Sequence, residues 1–353
     1  MNGVENLGWS SRRGIIQLVI LQFGKFCNLR APTRPTDMLD EDHSEITDYQ
    51  TTQYLMNGVL IIDKPAGLTS HDVVNRVRRI LGLRSVGHLG TLDPAATGVL
   101  PVVVGNFTRL AQFYLKSEKQ YEGVFRFGFS TTTYDAEGEP TSAAEDVSLS
   151  LPEIEALARE FTGTIEQVPP PFSAKKIAGV PAYKMARKNQ EVRLQPVQVE
   201  IKQFEILAVE DDRATFRAQV GSGTYIRSVA HDMGKKLGCG AHLAVLRRTW
   251  VGEFTIDEAH TIDELDSANR KGSAEQLFIH PRKLLPYMPC VTTTEENAAM
   301  IRSGRSVNLP EMSRAPLVKV FSGQTELIAI ATRIAGTLFH PGIVFRSLVE
   351  VAS

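Results

Sequence analysis

From His88 to Pro101 the chain reads His-Leu-Gly-Thr-Leu-Asp-Pro-Ala-Ala-Thr-Gly-Val-Leu-Pro, and Asp93 is the one carboxylate in this run. Gly90 and Gly98 permit tight turns on either side of it, and Pro94 fixes φ directly after it. The stretch therefore reads as a rigid loop presenting a single acid. One acid on a stiff loop suits covalent attack better than metal binding, which asks for several ligands. Asp-Pro also opens ordinary turns, so the loop by itself leaves both readings open.

Two further segments narrow the choice. One is Pro170-Pro171-Phe172-Ser173-Ala174-Lys175-Lys176-Ile177-Ala178-Gly179, followed by Tyr183 and Ala186-Arg187. The other is Gly221-Ser222-Gly223-Thr224-Tyr225-Ile226-Arg227-Ser228, continuing through Gly238-Cys239-Gly240-Ala241-His242-Leu243 to Leu246-Arg247-Arg248-Thr249. With the Asp93 loop and the opening Gly58-Val59-Leu60-Ile61-Ile62-Asp63-Lys64-Pro65, these form four ordered blocks between Gly58 and Phe254. Together they resemble the TruB family of tRNA pseudouridine synthases.

The resemblance implies a reaction. The C1′–N1 bond of a uridine breaks, the uracil turns over, and C5 is joined to C1′. Nothing is oxidised and no water is consumed, so no cofactor and no metal are implied. Asp93 is then the catalytic acid. Arg227 matches the arginine that pairs with it; a guanidinium keeps a carboxylate ionised and fixes its orientation. Tyr121 and Tyr225 match the tyrosines that line the uracil pocket, where a base flipped out of its stack needs a flat apolar surface. Leu246 matches an apolar residue against the base, and His88 a histidine that contacts the flipped nucleotide. Lys64 stabilises the pocket or contacts phosphate. Lys175, Lys176, Arg187, Arg247 and Arg248 are expected on the RNA backbone, where contacts are salt-sensitive and carry no sequence choice. The expected substrate is the T-loop uridine (position 55) of tRNA, bound through the T arm by a cytoplasmic monomer without an obligate protein partner. Two other readings share these residues: a guide-RNA-dependent synthase subunit, and a non-catalytic tRNA-binding or folding protein.

Several elements must position such residues. Val59 to Ile62 reads as a buried strand. A helix capped by Thr69 or Ser70 runs to Leu81 and stops at Gly82. Tyr121 to Phe129 alternates like a strand facing a core. Thr131 to Ser150 is polar and small, a loop placed over the site. Leu151 to Phe161 reads as a helix. Val197–Val209 and Ala214–Val220 read as strands joined at Asp211-Asp212. A helix is expected from Ser228 to Leu237, with Tyr225 and Arg227 on an extended segment before it. This mixture without a strict βαβ rhythm predicts an α+β catalytic domain with a mixed or antiparallel sheet.

The 353 residues carry a net charge of −1, so an RNA face must be a local patch. Cys27, Cys239 and Cys290 are widely spaced, which fits a reducing compartment. Residues 1–55 hold a short apolar run and then an acidic, polar stretch, and are expected to be a disordered extension. They contain no stretch long enough for a membrane span and no clean signal-peptide site; Met56 is an alternative start. Prolines at 281, 286 and 289 mark a break. It divides a catalytic domain (56–283) from a small β-rich module (284–353), with short strands and a turn expected at Phe339-His340-Pro341-Gly342. The resemblance makes that module PUA-like and RNA-binding.

Overall fold

Strand β1 (Gly58–Lys64) is apolar on both faces because both faces are covered. Side chains of a strand alternate, so Leu60 and Ile62 point one way and Val59 and Ile61 the other. The first pair joins a core with Val73, Val74 and Val77 of helix α1 (Ser70–Leu81). The second pair joins another core with Leu284, Leu285 and Met288. The neighbouring β2 (Val86–His88) and β3 (Thr97–Val104) extend both layers. Helix α1 begins at Thr69, whose hydroxyl and Asp72 cap each other's backbone, and ends at Gly82 in the left-handed region.

The structure is a computed structural model that describes residues 56–173, 175–177, 180–182, 185 and 194–345. The expected extension over 1–55 lies outside the described residues.

A nine-stranded sheet forms the larger part. Past the short helix α2 (Ala111–Tyr114) it continues through β4 (Lys119–Phe127), β5 (Gly163–Gln167), β8 (Val197–Glu210), β9 (Arg213–Val220), β10 (Ala241–Val251) and β11 (Phe254–Thr255), while β6 (Lys176–Ile177) and β7 (Val180–Pro181) pair separately. The order is β1-β3-β10-β4-β9-β8-β5, with β2 on β3 and β11 on β10. Only β3 and β10 run parallel; the other pairs are antiparallel. Tyr121, Phe125 and Phe127 of β4 face a core closed by helix α3 (Leu151–Glu160) and helix α4 (Ile226–Leu237). Phe125 stacks on Phe216 with ring centroids 4.0 Å apart. The expected α+β class with a mixed sheet is what the chain adopts.

Two expectations need correction. Helix α4 starts at Ile226, not Ser228, so Tyr225 is the extended residue at its cap and Arg227 already lies in the first turn. Phe339-His340-Pro341-Gly342 is not a turn but part of β16 (Leu338–Val344). Pro341 pairs with Ala331 and Ile343 with Ile330, so Gly342 is an extra residue in a bulge, which is where a strand accommodates proline.

The second sheet has the order β12-β14-β15-β16-β13, built from β12 (Cys290–Thr293), β13 (Val307–Asn308), β14 (Leu317–Ser322), β15 (Glu326–Ala335) and β16. Its shape fits a PUA-like domain. It shares a core with the first sheet through Phe321, Ile330 and Phe345. Glu253 ties the junction, accepting from the Tyr114 hydroxyl at 2.6 Å and from the Leu285 amide at 2.8 Å. Among the described residues no helix is long and apolar enough to cross a membrane.

Candidate active site

Asp93 lies on the β2–β3 connection, and that connection is held from below by side chains that the protein encloses. Ser70, at the start of α1, accepts from the Leu92 amide at 2.8 Å and donates back to its carbonyl. The Lys64 ammonium donates to the carbonyls of Pro65, Leu68 and Pro94. Arg248 donates to the carbonyls of Val99, Thr91 and Gly90 at 2.8 to 3.2 Å. Both cations are wholly shielded from solvent. Buried charges are tolerated only when their donors are satisfied, and here backbone carbonyls satisfy them, those of Gly90, Thr91 and Pro94 belonging to the loop itself. Gly98 allows the close approach of β10: a Cβ there would fall 2.2 Å from the Arg248 carbonyl oxygen, and its φ is +100°. The loop is stiff because two buried cations and a hydroxyl grip its backbone.

Arg227 meets Asp93 from the other side. Gln167 fixes the start of α4, bonding both the amide and the carbonyl of Tyr225. The Arg227 Nε lies 2.9 Å from Asp93 Oδ2, and its Nη1 lies 3.2 Å from Asp135 Oδ2. Its remaining donors reach the carbonyls of Thr133 and Phe172. The guanidinium, 7% exposed, is therefore fixed in orientation. Asp135, from the polar 131–150 loop, was not singled out from the sequence. Its one sequence signal was position in the loop expected over the site.

Asp93, Asp135 and Arg227 line a small cleft open to solvent, together with Ala95, Ala96, Ala136 and residues 243–246. Leu246 is in that wall. Tyr121 is not; it is buried behind the wall, in the core that also holds Leu92 and Ala96 and against which Leu246 packs. Tyr225 lies close enough for the Asp93 and Arg227 charges to act on its phenol, which burial pushes up. His88 does not line the cleft itself but flanks the loop that does, its Nδ1 accepting from the Gly90 amide at 3.3 Å.

Burial pushes the Asp93 carboxyl up, and the Arg227 guanidinium pulls it back down, while Asp135 adds to the rise. The Asp93 side chain keeps 40% of its surface free, so it is crowded by the walls but open toward the cleft. Burial pushes Lys64 down to about 8, against the pull of Asp93. It pushes His88 down to about 4, assisted by the nearby Arg248 charge, so the imidazole is neutral at pH 7.

The basic residues separate into three groups. Arg248 is enclosed and committed to loop carbonyls, so the RNA-backbone expectation for it is wrong, and the phosphate alternative for Lys64 falls for the same reason. Arg247 is half exposed and pairs with both Asp63 oxygens, at 2.8 and 3.1 Å. Lys175 is exposed. The Lys176 backbone lies in β6, its side chain lies outside the described residues, and so does Arg187.

Residues 78–226 match the family model described as TruB family pseudouridylate synthase (N terminal domain), and 227–287 match tRNA pseudouridylate synthase B C-terminal domain. The chain is 48% identical over 292 residues to the tRNA pseudouridine synthase B of Solibacter usitatus, covering 82% of this chain and all of that protein. The chain belongs to the TruB family. Another TruB relative, from Bacillus cytotoxicus, is 40% identical over 78% of this chain and 92% of its own length. Two solved structures are also similar. One is an H/ACA RNP bound to a substrate RNA containing 2′-deoxyuridine (TM-score 0.61, 27% identity, 84% of this chain and 87% of that one). The other is an archaeal box H/ACA sRNP Nop10-Cbf5 complex (TM-score 0.60, 26% identity, 86% and 90%). The two family-model matches together span 78–287, which includes Asp93, Arg227 and the residues that line the cleft.

Proposed function

We propose that this chain converts uridine to pseudouridine at position 55 in the T loop of tRNA, with Asp93 as the attacking group. The observation that carries the reading is the Asp93 carboxylate at an open cleft with Arg227 fixed against it at 2.9 Å. The names of the TruB relatives support tRNA as the substrate.

In this reading the uridine leaves its stack and enters the cleft, a motion that folded RNA loops permit at modest cost. Leu246 packs on the base, with Tyr121 behind it and Tyr225 beside it. The C1′–N1 bond breaks, the C5–C1′ bond forms, C5 gives up its proton and N1 gains one. Asp93 serves this sequence by attack at C1′, by attack at C6, or by assisting elimination to a glycal. Arg227 holds the carboxylate charged and aimed, while Lys64 and Arg248 keep the loop from yielding. His88 orients the loop through Gly90 and meets the incoming nucleotide from there. Lys175, Lys176, Arg187 and Arg247 are assigned to phosphates around the mouth, and the module over 284–353 to RNA beyond the catalytic domain at 56–283. The enzyme acts alone, as a cytoplasmic monomer.

The likeness to H/ACA RNP structures raises a second reading, in which a guide RNA delivers the uridine. Mapping pseudouridine in bare tRNA treated with the purified protein decides between them. Modification of one T-loop uridine without guide RNA supports the stand-alone enzyme; activity only after guide RNA is added supports the second reading. Binding without modification under either condition supports the non-catalytic one.

A further inference from the structure

Beside the Asp135–Arg227 ion pair, the same two elements meet a second time. Tyr134 precedes Asp135 on the loop, and His231 follows Arg227 by four residues on α4, which puts both helix residues on one face. The Tyr134 and His231 rings stack with centroids 3.9 Å apart and planes 11° from parallel. Tyr134 also has a φ of +65°. For a bulky residue that backbone is strained and persists only where its surroundings impose it.

We propose that the Tyr134–His231 stack is a positioning clamp that holds Asp135 on Arg227. The backbone explains only part of the placement. Bonds from the Leu243 amide to the Tyr134 carbonyl and from the Ala136 amide to the Leu243 carbonyl lay the loop along β10. They do not fix where it sits along α4. Arg227 holds the loop to α4 at one point, through the Thr133 carbonyl, and the ring stack adds the second hold one helical turn away and offsets the strained φ. Thr133 and the Glu137 amide then bond Asp135 Oδ1, leaving Oδ2 for Arg227. Tyr134 and His231 touch no reacting atom; they act through Asp135. The kinetic consequence rests on the function proposed above, whereas the structural consequence does not.

Tyr134→Gly tests it, since glycine accepts the backbone without strain while removing the ring. In a crystal structure of this variant, the Asp135 carboxylate leaves Arg227, moving beyond about 4 Å. Its kcat for pseudouridine formation falls about tenfold with KM within about twofold, and Tyr134→Phe, which keeps the ring, restores it. In an Asp135→Asn background Tyr134→Gly causes no further loss, because coupled residues do not add. An ion pair left intact in the Tyr134→Gly structure overturns the clamp, as does a loss of kcat equally large with and without Asp135→Asn. A parent protein that makes no pseudouridine defeats the functional reading, while the structure still decides the clamp.

Discussion

The Arg227 guanidinium holds the Asp93 carboxylate at 2.9 Å through Nε, and so keeps its Nη1 edge for a second acid, Asp135. One buried cation thus serves two carboxylates with opposite exposures: Asp93 opens to the cleft, whereas Asp135 is buried. Asp135→Asn keeps the shape and removes the charge on the far side. Single-turnover tritium release from C5-labelled tRNA is expected to slow by about tenfold or more, with tRNA affinity little changed, as for a group that acts in the transition state only. Equal losses in rate and affinity would instead assign Asp135 to binding.

Arg248 and Lys175 are both basic residues in family blocks, yet they should behave oppositely. Each phosphate contact contributes about one unit to the slope of log affinity against log salt. Lys175→Ala is expected to flatten that slope for tRNA binding. Arg248→Met should leave the slope unchanged and lower the melting temperature, because it removes donors from three buried carbonyls at about 1–3 kcal/mol for each unsatisfied group. A flattened slope in Arg248→Met would return that arginine to the RNA face.

How far the sequence carried this distinction depends on what each residue packs against. Asp93, Arg227 and Leu246 were legible because they stand in ordered motifs, and the structure places all three at the cleft. Arg248 stands in an equally good motif, but nothing in a linear reading separates a buried arginine from an exposed one. Its burial follows from the parallel pairing of β10 with β3, a long-range contact. Asp135 was missed because its loop lacks periodicity, and its partner lies 92 residues further on. The strands were readable from alternation. The start of α4 was not, because Ile226 and Arg227 join the helix through the grip of Gln167 on Tyr225.

His88 makes stability sensitive to acid. Its folded pKa is about 4, against 6.5 for the free side chain. Between those values the unfolded chain binds a proton that the native protein does not. Stability from this group is therefore full above about pH 6.5 and is lost as pH falls through about 4, by about 3 kcal/mol in total. Denaturant unfolding from pH 7 to 4 should show a smaller decline in His88→Asn than in the parent protein. Parallel declines would mean that His88 is protonated in the folded state.

Asp93→Asn is the most direct test of the account. The variant leaves the loop, its buried cations and the cleft in place and removes only the carboxylate. It is expected to bind tRNA as tightly as the parent protein and to release no tritium from C5-labelled uridine above the enzyme-free background. Turnover retained by purified Asp93→Asn protein would contradict the assignment of this carboxylate as the attacking group.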